Sequence, residues 1–232
     1  MIYAEGQEFY VQDFQGSFRG LKLELLRISS EGKLDGQSLE KIIGILSAGG
    51  TGVIPTDTVY GICACALNED GVKKVLEIKK RPPDKPFPIQ VASLAQANEI
   101  GDLESHTARI LANSFWPGAL TLVVKIRKGV KLPFQGKTVG LRVPNSPLCL
   151  QIIGRVGPII LPSANVSGEK APSRFHEISP EILEVIDFAV DGGACKHGIE
   201  STVVSLANGF KIEREGALSI AEIKKVLASA KG

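Results

Sequence analysis

The chain has 232 residues, 44% of them hydrophobic and 22% charged, with a formal net charge of +2. That length suits one domain with a full core, and the composition is that of a soluble globular protein. A charge so close to balance gives no ground by itself for a nucleic-acid-binding surface, and no apolar run approaches the roughly 18 residues of a spanning helix.

The opening stretch, "MIYAEGQEFYVQDF", lacks the charged start and apolar run of a secretory signal. Residues 1–33 are weakly patterned and form an N-terminal extension; within them and just beyond, "SSEGKLDGQS" reads as a linker into a main domain over 34–232. "SLEKIIGILSAGG" puts Leu39, Ile42, Ile43 and Leu46 on one helical face, with Ser38 as N-cap and glycines at the exit. "TGVIP" follows as a short buried strand. In "NEDGVKKVLEIKKR", Val72, Val75, Leu76 and Ile78 fall near helical spacing; acids open the segment and bases close it, which suits the helix dipole. Two prolines after Arg81 end it.

The β-branched stretches "FPIQVAS", "ALTLVVKI", "TVGLRVP", "GPIILPSA", "FAVDGG", "STVVSL" and "FKIERE" read as strands. "HTARILANSF", "SPLCLQIIGRV", "SPEILEVI" and "SIAEIKKVLASA" read as helices among them. Alternation on this scale predicts an open α/β sheet. The four cysteines, Cys63, Cys65, Cys149 and Cys195, sit in apolar surroundings and read as reduced, buried side chains of a cytoplasmic protein. Cys63 and Cys65 share a strand face, but with three histidines and no second close cysteine pair they make no metal site.

The familiar phosphate loops are missing. "QGKT" at 135–138 has the ending of a P-loop, yet Lys131 stands where the first glycine belongs and a strand follows. "GGTGVIP" has Pro55 in place of the third glycine of a dinucleotide fingerprint. What remains is a set of polar residues at the ends of apolar strands, where open α/β sheets bind ligands. They come from "IPTDTVYG", "KKRPPDKPF", "GLRVPN", "ILPSANVSG", "GIESTVVSL" and "KIEREG". Ser, Asn and Thr beside Pro and Gly are commonest as turn formers, so no single stretch decides.

Arg142 is more demanding. A guanidinium within an apolar strand is costly to bury unless an internal carboxylate or a bound anion meets it. Lys79, Arg81, Lys85, Arg142 and Arg214, with hydroxyl and amide donors between them, match a nucleotide triphosphate beside a small carboxylate. His106, His176 and His197 lie outside these stretches, so the chemistry points to charge stabilisation and positioning without a protein nucleophile.

Taken in order, "PTDTVYG", the K-x-R of "IKKRPPDKP", "FWPGALTLVV", "TVGLRVP", the S-x-N of "LPSANVSG", "STVV" and the arginine of "IEREG" resemble the YrdC family over residues 36 to 218. These are the L-threonylcarbamoyladenylate synthases of tRNA modification. The resemblance implies a twisted open mixed sheet flanked by helices around a concave basic groove. It also implies the conversion of L-threonine, bicarbonate and ATP to threonylcarbamoyl-AMP and pyrophosphate. Thr58, Gln90, Arg142, Ser163 and Ser201 correspond to its threonine contacts, with Gln90 standing where many relatives carry histidine. Lys79, Arg81, Lys85, Thr138, Asn165, Ser173 and Arg214 correspond to its nucleotide contacts, with Lys79 and Arg81 catalytic. Mg²⁺ is implied on the phosphates, with no protein side chain ligating it. A downstream threonylcarbamoyl transferase of the TsaD type is the implied partner, and the chain matches the short, single-domain form.

Two rival readings share these features. One is a double-stranded RNA-binding or ribosome-assembly factor without turnover, against which the small net charge and the lack of aromatics beside the basic residues both speak. The other is the carbamoylation domain of HypF-type hydrogenase maturation proteins, which carry zinc-finger cysteine pairs and further domains that this sequence lacks.

Overall fold

A computed structural model describes residues 23–81, 87–133 and 136–230, together with the backbone of three strands nearer the start. Those strands, β1 (Ile2–Glu5), β2 (Glu8–Gln12) and β3 (Phe18–Leu21), form a small antiparallel sheet of their own. The main sheet begins with β4 (Glu24–Arg27) and continues through β5 (Gly52–Ile54), β6 (Gly61–Cys65), β7 (Ile89–Gln90) and β8 (Leu120–Lys125). It is completed by β9 (Thr138–Arg142), β10 (Ile159–Ile160), β11 (Phe188–Asp191), β12 (Thr202–Ser205) and β13 (Lys211–Arg214). Interleaved are α1 (Gly36–Ser47), α2 (Glu69–Ile78), α3 (Leu94–Ile100), α4 (His106–Phe115), α5 (Pro147–Val156), the single turn α6 (Pro180–Leu183) and α7 (Ile220–Ser229).

The strands run in the order β13-β12-β8-β9-β7-β10-β6-β5-β11-β4, mixing parallel and antiparallel pairs. This is the open sheet expected from the alternation and the mixed one that the resemblance implies. Residues 24–33, grouped by sequence with the N-terminal extension, contribute an outer strand: β4 lies parallel to β11, with Leu26 opposite Val190. Its charged ends, Glu24 and Arg27, hide the two leucines that hold it. One element is expected only through the shared strand face of Cys63 and Cys65, and one is not expected from the sequence. "GICAC" is strand β6, and the seven-residue α3 is held by Ser93, whose Oγ accepts from Gln96 N at 3.1 Å. Helix α1 starts earlier than its apolar face suggests. Its N-cap is Asp35, not Ser38, and the Asp35 carboxylate accepts from both the amide and the hydroxyl of Ser38 at 2.9 and 2.7 Å. A carboxylate there also complements the helix dipole.

Over β8, β9 and β12 the period of two along the strands divides the sheet into a dry face and a wet one. Leu120, Leu122 and Val124 of β8, Val139 and Leu141 of β9 and Val204 of β12 are buried with Ala108, Leu111 and Ala112 of α4 and Ile223 of α7. Each such aliphatic side chain contributes roughly 1.5–3 kcal/mol. The residues of opposite phase are left for a ligand. A second core joins α1 and α5 over Ile54, Phe188 and Val190. There Gly52 lies opposite Phe188, and a Cβ on it would stand 2.3 Å from the ring. Gly52→Ala is therefore expected to lower stability by about 1–3 kcal/mol through overpacking, read as a lower urea midpoint at unchanged slope. Among the described residues no helix is long and apolar enough to cross a membrane.

Candidate active site

A cavity of about 440 Å³ opens on an uncovered part of the sheet. Its floor is the face opposite α4 and α7: Thr121 and Val123 of β8, Thr138, Gly140 and Arg142 of β9, Gln90 of β7, and Val203 of β12. Register aligns them. Arg214 is paired with Val203 and Val203 with Thr121; Arg142 is paired with Gln90, and Val123 with Gly140. The expectation of a site at strand ends holds for the walls, where the loop after β5 brings Thr56 and Thr58 and the loop after β10 brings Ser163, and for Gln90, Thr138 and Arg142 of the floor, each the end residue of its strand. The floor is the sheet face itself, because α1 and α5 cover that side over β4, β5, β6, β10 and β11 and leave it bare over β8, β9 and β12.

Arg142 is 4% exposed and has the internal carboxylate that its burial demands. Its Nη2 donates to Asp57 Oδ1 at 2.6 Å, its Nε to the Gly118 carbonyl at 2.8 Å, and its Nη1 to Thr58 Oγ1 at 2.9 Å. Burial lowers the Arg142 pKa from its ordinary value, and Asp57 opposes that shift. Thr56 Oγ1 accepts from the amides of Thr58 and Val59 at 2.9 and 3.1 Å and lies 2.9 Å from Thr58 Oγ1, so it shapes the turn that presents Thr58. Tyr60 reaches away: its hydroxyl donates to Gly193 O and accepts from Gly192 N.

Lys79, the last cap of α2, is 3% exposed and crosses to the S-x-N loop. Its Nζ donates to the Ser163 carbonyl, the Asn165 carbonyl and Asn165 Oδ1 at 2.6, 2.6 and 3.1 Å. All three ammonium protons are thereby placed. Burial lowers its pKa to about 8, with Glu200 and Glu169 opposing and Arg81 adding to the shift. Asn165 does not line the cavity; it meets it through Lys79, with its amide NH₂ tied to Val166 and Glu169 carbonyls. Arg81 lines the cavity and lies over the Phe87 ring at 5.2 Å. Burial lowers its pKa, and the nearby Arg214 lowers it further while Glu200 raises it.

Arg214 donates to the Ser201 carbonyl and pairs with Glu200 at 2.9 Å. Ser201 Oγ lies 2.8 Å from Thr121 Oγ1. Gln90 is 3% exposed, and its Oε1 has no hydrogen-bond partner among the described residues; the same is true of Asp57 Oδ2.

Of the residues singled out by sequence, Thr58, Lys79, Arg81, Gln90, Thr138, Arg142, Ser163, Ser201 and Arg214 all line this one cavity. Ser173 does not: its amide and hydroxyl are held by Glu177 at 2.6 and 3.0 Å, outside the wall. Lys85 lies outside the described residues. Sequence reasoning missed Asp57, Thr121 and the Gly118 carbonyl. Only Asp57 had a signal, as the one carboxylate in a hydroxyl-rich stretch when a buried arginine lacked its partner.

The Sua5/YciO/YrdC family model, described as telomere recombination, matches residues 44–216. The chain is 37% identical over 188 residues to a threonylcarbamoyl-AMP synthase of Pyrococcus abyssi, covering 79% of this chain and 55% of that one. It is also 37% identical over 178 residues to a threonylcarbamoyl-AMP synthase of Bacillus subtilis, covering 75% and 51%. It thus spans just over half the length of these two relatives. The crystal structure of P. abyssi Sua5 complexed with L-threonine superimposes with a TM-score of 0.80 at 33% identity, covering 88% of this chain and 60% of that one. With three quarters of its length matched and its strand-borne cavity in place, the chain belongs to the Sua5/YciO/YrdC family.

Proposed function

We propose that this cavity joins L-threonine, bicarbonate and ATP into threonylcarbamoyl-AMP and pyrophosphate, an intermediate for threonylcarbamoyladenosine modification of tRNA. The observation that carries the reading is the gathering of Lys79, Arg81 and Arg214 in one wall, close enough that Arg214 depresses the charged state of Arg81. Like charges held together call for a polyanion between them. Arg142, deeper on the floor beside Gln90, suits an amino-acid carboxylate.

In the chemistry proposed, the threonine amine attacks the bicarbonate carbon. A C–N bond forms, a C–O bond of bicarbonate breaks, and its hydroxyl leaves as water with a proton of the amine, giving a carbamate. A carbamate oxygen then attacks the α-phosphorus of ATP, and the bond to pyrophosphate breaks. Anion must approach anion, so neutralisation by Lys79, Arg81 and Arg214 and alignment by Arg142 and Thr58 make up the enzyme's share. Mg²⁺ would shield the phosphates. Among the described residues no group of three or more His, Cys, Asp and Glu side chains is placed to hold a metal, so the phosphates would supply most of its ligands, with Glu200 and Glu213 the nearby carboxylates. The product would pass to a threonylcarbamoyl transferase of the TsaD type in the cytoplasm.

The test is pyrophosphate release by the purified protein with ATP, Mg²⁺ and bicarbonate. Release is expected only when L-threonine and bicarbonate are both present. Release with serine alone, or none with any amino acid, overturns the proposal, and tight, steeply salt-dependent binding of duplex RNA without turnover would replace it.

A further inference from the structure

Asp57 is the charged residue of the site for which the proposed chemistry has no use. It does not line the cavity, its side chain is 2% exposed, and it reaches the site only through Arg142. Its own carbonyl accepts from His197 N at 3.0 Å, which fixes the loop that carries it. The Nη2–Oδ1 distance of 2.6 Å is that of a strong charge-assisted bond. A buried guanidinium whose partner arrives only with substrate would be uncompensated in the empty site. Asp57 removes that cost, but it also changes what Arg142 can attract.

The two charges cancel. A group approaching the floor meets one fixed cation and one fixed anion within a few ångströms, with the neutral acceptor Gln90 Oε1 beside them. The outer wall differs: the carboxylates near Lys79, Arg81 and Arg214 are Glu200, half-buried, and Glu169 and Glu213, exposed, so water screens them as it cannot screen the buried Asp57.

We infer that Asp57 divides the cavity electrically, making the inner subsite net neutral so that it takes a zwitterionic amino acid and leaves polyanions to the outer cations. The inference rests on the amino-acid reading of the floor and adds the residue that sets its charge selectivity. A zwitterion fits a neutral pair, because its carboxylate meets Arg142 while its ammonium gains from the field of Asp57. A simple anion gains from one and loses to the other. The same division serves the reaction. Once the ammonium end has become a carbamate it is anionic, no longer matches the neutral floor, and is drawn toward the outer cations where the phosphates lie.

Competition between L-threonine and (R)-3-hydroxybutyrate, which is threonine without its amine, tests this by calorimetry on wild type and Asp57→Asn. Wild type is expected to prefer threonine by more than about tenfold. In Asp57→Asn the preference is expected to shrink by about tenfold or more, as the floor becomes cationic and accepts the bare anion. Loss of structure alone would weaken both ligands together and leave their ratio unchanged. A folded Asp57→Asn protein with the wild-type ratio overturns the inference. So does a wild-type protein that binds the two ligands equally, which decides the matter even where the variant fails to fold. Failure of L-threonine to bind wild type at all ends the amino-acid reading itself.

Discussion

Arg142→Met is expected to lower the free energy of unfolding by about 3–5 kcal/mol and to abolish threonine-dependent pyrophosphate release. The size of the first effect comes from what is left behind. Asp57 is already short of partners, since its Oδ2 has none among the described residues. Without Arg142 its Oδ1 loses the 2.6 Å bond as well, and a carboxylate with a 2% exposed side chain stands alone. The double variant Asp57→Asn/Arg142→Met separates the two roles. It removes both charges, so most of the lost stability is expected to return, as it does when buried pairs are replaced together. Activity is not expected to return, because the substrate carboxylate still lacks its guanidinium. Chemical denaturation of the four proteins of this cycle gives the coupling energy directly. A coupling near zero would mean that the pair does not hold the floor together.

The fold was largely legible because its strands announce themselves. β8, β9 and β12 alternate as half-buried strands must, and their dry phase, Leu120, Leu122, Val139, Leu141 and Val204, is apolar but for the buried Thr202. The short pieces were less visible. β7 and β10 keep only two residues each of the stretches read as strands, and α3, which sequence reasoning missed, buries only Ala97 and Ile100, too few positions to establish a period. At the site, sequence gave membership more reliably than geometry. Arg142 stood out because of what its burial costs, but its partner lies 85 positions away, signalled only as the one carboxylate in a hydroxyl-rich stretch. Lys79 stood out as a cation, while two of its three acceptors are main-chain carbonyls, which no reading of side chains reveals. Ser173 shares the order of the motifs but not their location, for chain order carries no distance.

If the proposed function holds, Lys79 also makes nucleotide affinity depend on pH. Its ammonium is bonded to three oxygens yet buried, and burial prevails, bringing its pKa from 10.5 to about 8. Below about 8 the free protein carries the charge; above it the charge is lost. A bound triphosphate favours the charged form and raises the pKa in the complex. By linkage, affinity for ATP is then expected to fall as pH rises through about 8, by up to about tenfold per unit until the pKa of the complex is reached. The contribution of Lys79 to stability runs the other way. Between about 8 and 10.5 the unfolded chain still holds this proton while the folded one has released it, so stability rises with pH in that window. Lys79→Arg keeps a charge throughout and is expected to flatten the alkaline fall in affinity, whatever it does to affinity at neutral pH. Titration of ATP binding from pH 7 to 9.5 in both proteins checks this. Equal slopes would assign the fall to another group and leave Lys79 as a clamp on Ser163 and Asn165 alone.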